Sequence, residues 1–182
     1  MFQYIESFIT DVGIDDLISE IPFSQDYIMI DGKKIPEQRL TYWMSSENYD
    51  FQYGGKIMIP SELTSNVDII RNLIMETYDI YFDSVLANFY PTGKSGMRYH
   101  SDPLYNIDGE QMWDDFSIVV SFGGDRRFTF RKKDDYSNKT EFIVSNGDIV
   151  IMKEGCQQLY QHRVHKAKTD EPRISLVFKK RI

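Results

Sequence analysis

The chain is poor in cysteine, in histidine and in long hydrophobic runs. Its single cysteine, Cys156, has no partner within the chain, which excludes an internal disulfide framework and a CxxC-type zinc site. No apolar run reaches the ~18 residues that a membrane-spanning helix needs. The first residues carry acids where a signal peptide carries bases. We therefore expect an intracellular protein, in the cytoplasm or the nucleus, that does not associate with membranes.

Positive charge is also scarce, but only in one half of the sequence. The chain has 21 Lys and Arg against 28 Asp and Glu, and the net charge of −7 argues against binding nucleic acid by bulk electrostatics. Up to Ala87 there are 15 acidic and 5 basic side chains, whereas from Asn88 onwards there are 13 acidic and 16 basic ones. This asymmetry points to a face for an anionic ligand in the second half.

Hydrophobic residues make up 41% of the 182 residues and aromatic residues 14%, which is the composition of a packed globule. The length fits one domain over residues 1–182, and we expect a monomer. Asp11 is predicted to cap a short helix that ends before Pro22, and Ser65 to cap a longer one. Asp31-Gly32 predicts the turn of a β-hairpin over residues 27–35.

The second half of the chain reads as a series of short strands. Turn signals such as Gly123-Gly124 and Asn146-Gly147 separate them. The predicted strands are Ser84–Tyr90, Ser117–Phe122, Phe128–Lys132, Thr140–Val144, Asp148–Met152, Leu159–Val164 and Arg173–Lys179. The fold class is therefore mainly β, a sandwich or barrel with the N-terminal helices flanking it.

The chemistry of the chain centres on its few histidines. His100 and Asp102 are two residues apart, so in an extended strand both side chains point the same way. A third ligand arrives about sixty residues later, and His162 and His165 are the candidates. Two histidines and one carboxylate on one face of an octahedron are typical of non-haem Fe(II) oxygenases.

A buried cation is predicted on the last strand. With a period of two, Arg173, Ser175, Val177 and Lys179 share one face, while Ile174, Leu176 and Phe178 face the core. An inward Arg173 could bind a carboxylate through two parallel hydrogen bonds. The alternative is an edge strand with two solvated cations.

Together these motifs resemble the AlkB-like Fe(II)/2-oxoglutarate-dependent dioxygenases. That family's order is N-x-Y, H-x-D, a distal His and R-x5-R, and here the matching residues are Asn88 and Tyr90, His100 and Asp102, His162, then Arg173 with Lys179. Tyr-Pro-x-Gly after Phe89 and the run Val119–Arg131 extend the resemblance, which covers roughly residues 36 to 181. It implies a double-stranded β-helix, or jelly roll, over residues 84–181, and a substrate-recognition lid over residues 36–58.

The resemblance also implies roles for individual residues. His100, Asp102 and His162 would bind Fe(II), with His162 preferred over His165 because its interval to Arg173 suits the family. Arg173, assisted by Tyr90, would hold the distal carboxylate of 2-oxoglutarate, and Asn88 would contact its other end. Lys179 stands where the family has a second Arg, and it keeps the charge but loses the planar fork.

The implied reaction couples decarboxylation of 2-oxoglutarate by O2 to hydroxylation of a C–H bond. If the carbon is a methyl group on a base nitrogen, formaldehyde is released, and the partner is a single-stranded or flipped-out base of DNA or RNA. Well-known base-repair members of the family often carry an acidic residue after H-x-D, whereas here Pro103 follows. The alternatives are a hydroxylase or demethylase of a protein side chain or small molecule, or a silent binding module that keeps the fold.

Aromatic residues in the proposed lid have two interpretations. They could stack on a target base or pack in the core, and core packing is favoured about two to one. The five are Tyr42, Trp43, Tyr49, Phe51 and Tyr53.

Overall fold

The computed structural model describes residues 1–182 as two antiparallel sheets with two helices against the larger one. The strands are β1 (Phe2–Ile5), β2 (Ser24–Ile30), β3 (Lys33–Ser45), β4 (Phe51–Tyr53), β5 (Lys56–Met58), β6 (Ser84–Tyr90), β7 (Met97–His100), β8 (Ser117–Gly123), β9 (Arg126–Lys132), β10 (Lys139–Val144), β11 (Ile149–Met152), β12 (Tyr160–Val164) and β13 (Arg173–Lys179). The helices are α1 (Ile14–Glu20), α2 (Ser65–Tyr78) and the single turn α3 (Cys156–Leu159).

The strand order confirms the predicted mainly β class with a jelly-roll core. The major sheet has the order β1-β11-β8-β13-β6-β3-β2, and the minor sheet has the order β10-β9-β12-β7. Strands β4 and β5 form a separate hairpin. None of the helices is both long and apolar enough to cross a membrane.

The major sheet is buried on both faces, which explains the pattern of β13. Ile174, Leu176 and Phe178 are fully buried in the cluster that packs the sheet against α1 and α2. Burial of each such side chain stabilises the fold by about 1.5–3 kcal/mol. The alternate residues of β13, starting with Arg173, point between the two sheets. The edge-strand alternative is therefore wrong, because β13 lies between β8 and β6.

Most predicted elements are present with small shifts at their ends. Ser84–Tyr90 and Arg173–Lys179 match β6 and β13. The Asp31-Gly32 turn joins β2 to β3 with φ of 49° and 75° at the two residues, as a type I′ hairpin requires. Both predicted helix caps were wrong. The N-cap of α1 is Gly13, whose N–H donates to Asp16, and α2 begins after Thr64.

The region predicted as a lid divides into two parts. Residues 36–45 belong to β3, which pairs with β6 inside the major sheet. Residues 51–58 form the β4–β5 hairpin, whose Phe51 packs with Trp43, Leu104 and Trp113 in a third apolar cluster.

Strand β7 contains an irregularity that decides which side chains face inward. In its pairing with β12, His100 lies opposite His162 and Met97 lies opposite Val164. Two residues of β7, Arg98 and Tyr99, therefore lie opposite the single Arg163, which is a β-bulge. As a result, Met97 and His100 both line the space between the sheets although they are three residues apart.

Candidate active site

The structure brings His100, Asp102 and His162 together in the pocket between the sheets. Their potential ligand atoms all lie within 4.8 Å of one another. Nε2 of His162 lies 3.5 Å, and Nε2 of His100 3.7 Å, from Oδ1 of Asp102. The three side chains supply the two imidazoles and one carboxylate of a facial triad and leave one side open, so they fit an Fe(II) ion.

The backbone fixes the orientation of His100. Its Nδ1 lies 2.8 Å from the carbonyl oxygen of Arg98. A carbonyl only accepts, so Nδ1 carries the proton and Nε2 offers its lone pair toward Asp102 and His162. Burial and the neighbouring His162 lower the pKa of His100 to about 3. The ring is therefore neutral at physiological pH, as a metal ligand must be.

Asp102 is held by the side chains of Gln157 and Lys179, and the sequence analysis predicted neither contact. Gln157 of α3 accepts a hydrogen bond from the backbone N–H of Asp102 at 2.8 Å and lies 3.4 Å from its Oδ2. Nζ of Lys179 lies 3.6 Å from the same oxygen. Burial alone would raise the pKa of Asp102, but Lys179 and His162 outweigh it and lower the pKa. No motif marks Gln157 in the sequence.

Arg173 lies deeper in the same pocket. Its side chain is fully buried, and its Nη2 donates to Oγ of Ser121 at 2.8 Å. Nε and Nη1 are buried without any partner. Burial lowers the pKa of Arg173 to about 10, so the guanidinium still carries its charge. Nη1 lies with Nη2 on the terminal edge of the guanidinium, and an unpartnered N–H on this edge of a buried cation fits a carboxylate.

Asn88 and Tyr90 lie beside Arg173 as β6 pairs with β13, and both line the pocket. The guanidinium carbon of Arg173 is 5.3 Å from the centre of the Tyr90 ring. Oδ1 of Asn88 accepts from Nε of Arg39 at 2.6 Å, and its Nδ2 lies 3.4 Å from Oγ of Ser175. Lys179, by contrast, lies with Asp102 in an adjoining pocket, so the predicted co-substrate residues divide into two groups.

Arg39 is a site residue that the sequence analysis missed. It is 5% exposed and lines both pockets. Its Nη1 lies 3.1 Å from Glu37, which also binds Nζ of Lys56 at 2.6 Å and the hydroxyl of Tyr53 at 3.0 Å. These buried contacts connect β3 to the β4–β5 hairpin. The sequence did contain an indication of this inward position: with a period of two along β3, Arg39 falls on the same face as the apolar Trp43.

The adjoining pocket is where the aromatic residues of the hairpin reach the triad. Phe51, Tyr53 and Pro103 line it together with His100 and Asp102. Trp43 is buried, and its ring stacks on Phe51 at 4.5 Å, so Trp43 is a core residue. Of the remaining aromatics, Tyr42 packs toward the helices, and neither it nor Tyr49 lines this pocket.

His165, the rival third ligand, lies away from the triad. Its ring nitrogens contact Arg127 at 2.8 Å and Thr129 at 2.7 Å. Burial and the flanking Arg163 and Arg127 lower the pKa of His165. His165 therefore lies against side chains on the outer face of the minor sheet, whereas His162 points into the space between the sheets.

Comparison with known proteins gives a consistent family assignment. Residues 4–182 match the family model described as the 2OG-Fe(II) oxygenase superfamily. The chain is 31% identical over 183 residues to the "Uncharacterized protein R406" of Acanthamoeba polyphaga mimivirus, covering 98% of this chain and 92% of that one. It is 28% identical over 176 residues to the human Alpha-ketoglutarate-dependent dioxygenase alkB homolog 3, covering 91% of this chain. The chain spans 59% of the length of that human relative.

Solved structures share the fold. The structure of OsALKBH1 superposes with a TM-score of 0.68 at 12% identity, covering 98% of this chain and 96% of that one. An oxidoreductase of the 2OG-Fe(II) oxygenase family from Burkholderia pseudomallei gives a TM-score of 0.58 at 14% identity, covering 92% and 76%. At these identities the superpositions support the fold alone.

Proposed function

Because the chain belongs to the 2OG-Fe(II) oxygenase superfamily, we propose that it demethylates alkylated bases of DNA or RNA. The dioxygenases of this superfamily are oxidoreductases that use Fe(II), 2-oxoglutarate and O2. The similarity to AlkB homolog 3 confirms the predicted AlkB-like resemblance. The observation that carries the proposal is the closeness of His100, Asp102 and His162 to the buried, partly unpartnered Arg173 in one pocket.

In this proposal each residue has one task. His100, Asp102 and His162 hold Fe(II), and Gln157 and Lys179 orient the carboxylate of Asp102. Arg173 binds the distal carboxylate of 2-oxoglutarate through its terminal edge, with the unpartnered Nη1 and the second N–H of Nη2, next to Tyr90. Asn88, fixed by Arg39, faces the remainder of the co-substrate.

Bound Fe(II) and 2-oxoglutarate supply the oxidation: O2 gives one oxygen atom to succinate and one to the methyl group, with release of CO2. The hydroxymethyl group then leaves as formaldehyde: the N–C bond breaks with its electron pair going to the base nitrogen, and the hydroxyl proton passes to that nitrogen or to water. The protein's own contribution is to position the methyl group and to limit access of water.

The target base would enter the adjoining pocket between the β4–β5 hairpin and the triad. Its walls are apolar side chains such as Phe51, Leu86 and Val177, with the hydroxyl of Tyr53 at one side. Burial and the nearby Glu37 raise the pKa of Tyr53, so its hydroxyl stays protonated. An aromatic wall and a few polar groups suit a flat, flipped-out base. The hairpin thereby forms the part of the predicted lid that faces the substrate.

The decisive experiment measures succinate and formaldehyde in parallel. The protein is supplied with Fe(II), ascorbate and 2-oxoglutarate and is given methylated single-stranded DNA, RNA, duplex DNA, nucleosides or peptides. We expect equal amounts of both products with a methylated oligonucleotide and none with Asp102→Ala. Succinate formation stimulated only by a peptide or a metabolite would replace the proposal with a protein or small-molecule hydroxylase.

A further inference from the structure

A basic groove lies on the outside of the jelly roll, next to the site. It runs between β3 and the free edge of the minor sheet, and its polar lining consists of Gln38, Arg98, Arg163, His165 and Lys166. No acidic residue lines it. In a chain with a net charge of −7, a groove without a single carboxylate is a local exception. Its electrostatic character favours an anionic ligand.

The groove adjoins the pockets that contain the triad. Met97 lines the groove and also both inner pockets. On the opposite wall, Gln38 precedes Arg39, which lines both inner pockets as well. A polymer lying in the groove would therefore pass directly beside the entrance to the site.

The cations of the groove are free for a ligand. Arg98, Arg163 and Lys166 form no salt bridge within the protein. The buried Nε of Arg163 has no hydrogen-bond partner. Arg98 and Lys166 are exposed. Charges that the protein does not neutralise itself can release counterions when they meet phosphates.

Aromatic stacking gives this surface a fixed shape. The guanidinium carbon of Arg131 lies 3.8 Å from the ring centre of Tyr99 and 3.9 Å from that of Tyr136, and Arg163 lies 5.2 Å from Tyr99. Each contact of this kind contributes about 0.5–1 kcal/mol at an exposed site. The bulge in β7 is what presents both Arg98 and Tyr99 on this outer side.

From these observations we propose that the groove binds the phosphates of a single-stranded polynucleotide beside the base that enters the site. The inference rests on the proposed function and adds the path of the backbone. Arg98 and Arg163 lie on strands about 4.8 Å apart, and Lys166 is three residues farther along, which spans about 10 Å. A row of cations of this length can contact successive phosphates of one strand.

The test measures binding without turnover. Protein loaded with Mn(II) and 2-oxoglutarate is titrated against a fluorescein-labelled, unmethylated oligothymidylate at several salt concentrations. The test variant is Arg98→Gln/Lys166→Gln. The control is Lys33→Gln/Lys153→Gln, which removes the same charge from two exposed lysines that lie outside the groove. Thermal unfolding midpoints show that both variants are folded.

We expect the test variant to bind about tenfold more weakly at low salt, and its plot of log K against log salt to flatten by about 1.4, or about 0.7 for each lost contact. The control should keep the wild-type slope. Equal slopes for the two variants, or no binding by the wild type, would overturn the groove assignment. Stronger dependence on these residues with duplex than with single-stranded DNA would overturn the single-strand assignment. Because the oligonucleotide carries no methyl group, failure of demethylation is a separate result.

Discussion

Replacement of Arg173 by Met tests the 2-oxoglutarate site through protein stability. The guanidinium is fully buried, donates to Ser121 and leaves Nε and Nη1 unpartnered. Two hydrogen bonds to a carboxylate from the terminal edge, one from Nη1 and one from the second N–H of Nη2, contribute about 1.5–3 kcal/mol each. Their loss in Arg173→Met predicts a 2-oxoglutarate affinity at least ~100-fold weaker, since 1.4 kcal/mol corresponds to a factor of ten.

The assay is thermal unfolding of the Mn(II)-loaded protein with and without 2-oxoglutarate. At a ligand concentration of about 100 times Kd, the wild type gains about 2.7 kcal/mol, or about 5–10 °C for a chain of this length. At the same concentration, the ligand would stabilise Arg173→Met by only about 0.4 kcal/mol, or about 1 °C. Without 2-oxoglutarate the variant should be no less stable than the wild type, because it removes a buried cation with unsatisfied donors.

This comparison uses Arg71 as the control for Arg173. Arg71→Met replaces an arginine on α2, far from the pockets, and should keep the wild-type response to 2-oxoglutarate. A shift of 5–10 °C that persists in Arg173→Met would refute this assignment. Lys179 and Arg39 would then be the cations to test.

Three more predictions concern other parts of the molecule. Asp102→Ala should abolish metal-dependent turnover, because it removes the carboxylate of the triad. Asp108→Ala, which changes an exposed residue after β7, should keep this turnover. Turnover by Asp102→Ala would show that the triad is wrong. Lys56→Met should lower the free energy of unfolding by about 2 kcal/mol, because the buried carboxylate of Glu37 loses one of its cationic partners. Adding Glu37→Gln should recover part of this loss, as measured by urea titration. Burial raises the pKa of Cys156 to about 12, so at pH 8 the thiol is protonated and unreactive. Iodoacetamide should therefore label it only after unfolding, and fast labelling of the native protein would contradict its burial.

The strand pattern of the second half was predictable because each strand is short, apolar and bounded by turn residues. Strands β6 and β13 were predicted to the residue. Strand β3 was predicted only at its start, as the second strand of the hairpin over residues 27–35, because the charges of Glu37 and Arg39 that follow are neutralised only in the folded protein. Strand β1 was not predicted, because Phe2–Ile5 is held as a strand by its pairing with β11, which is distant in the sequence.

The same division holds for the site. The ligand spacing and the inward face of Arg173 follow from strand periodicity, which acts locally. Arg39 and Gln157 reach the site from distant elements, and the contacts that define their roles depend on tertiary packing. For Lys179 the sequence indicated its face on β13, but only the fold places it against Asp102.

The bulge in β7 has a consequence for how this strand could vary in length. Removing either Arg98 or Tyr99 would leave one residue opposite Arg163 and turn the pairing into a regular ladder. Met97 and His100 would then be two residues apart and would still face the same side. Insertions and deletions in strands normally reverse every side chain beyond them. Here, a one-residue change in chain length could alter the outer surface while the registry of His100 with His162 is kept.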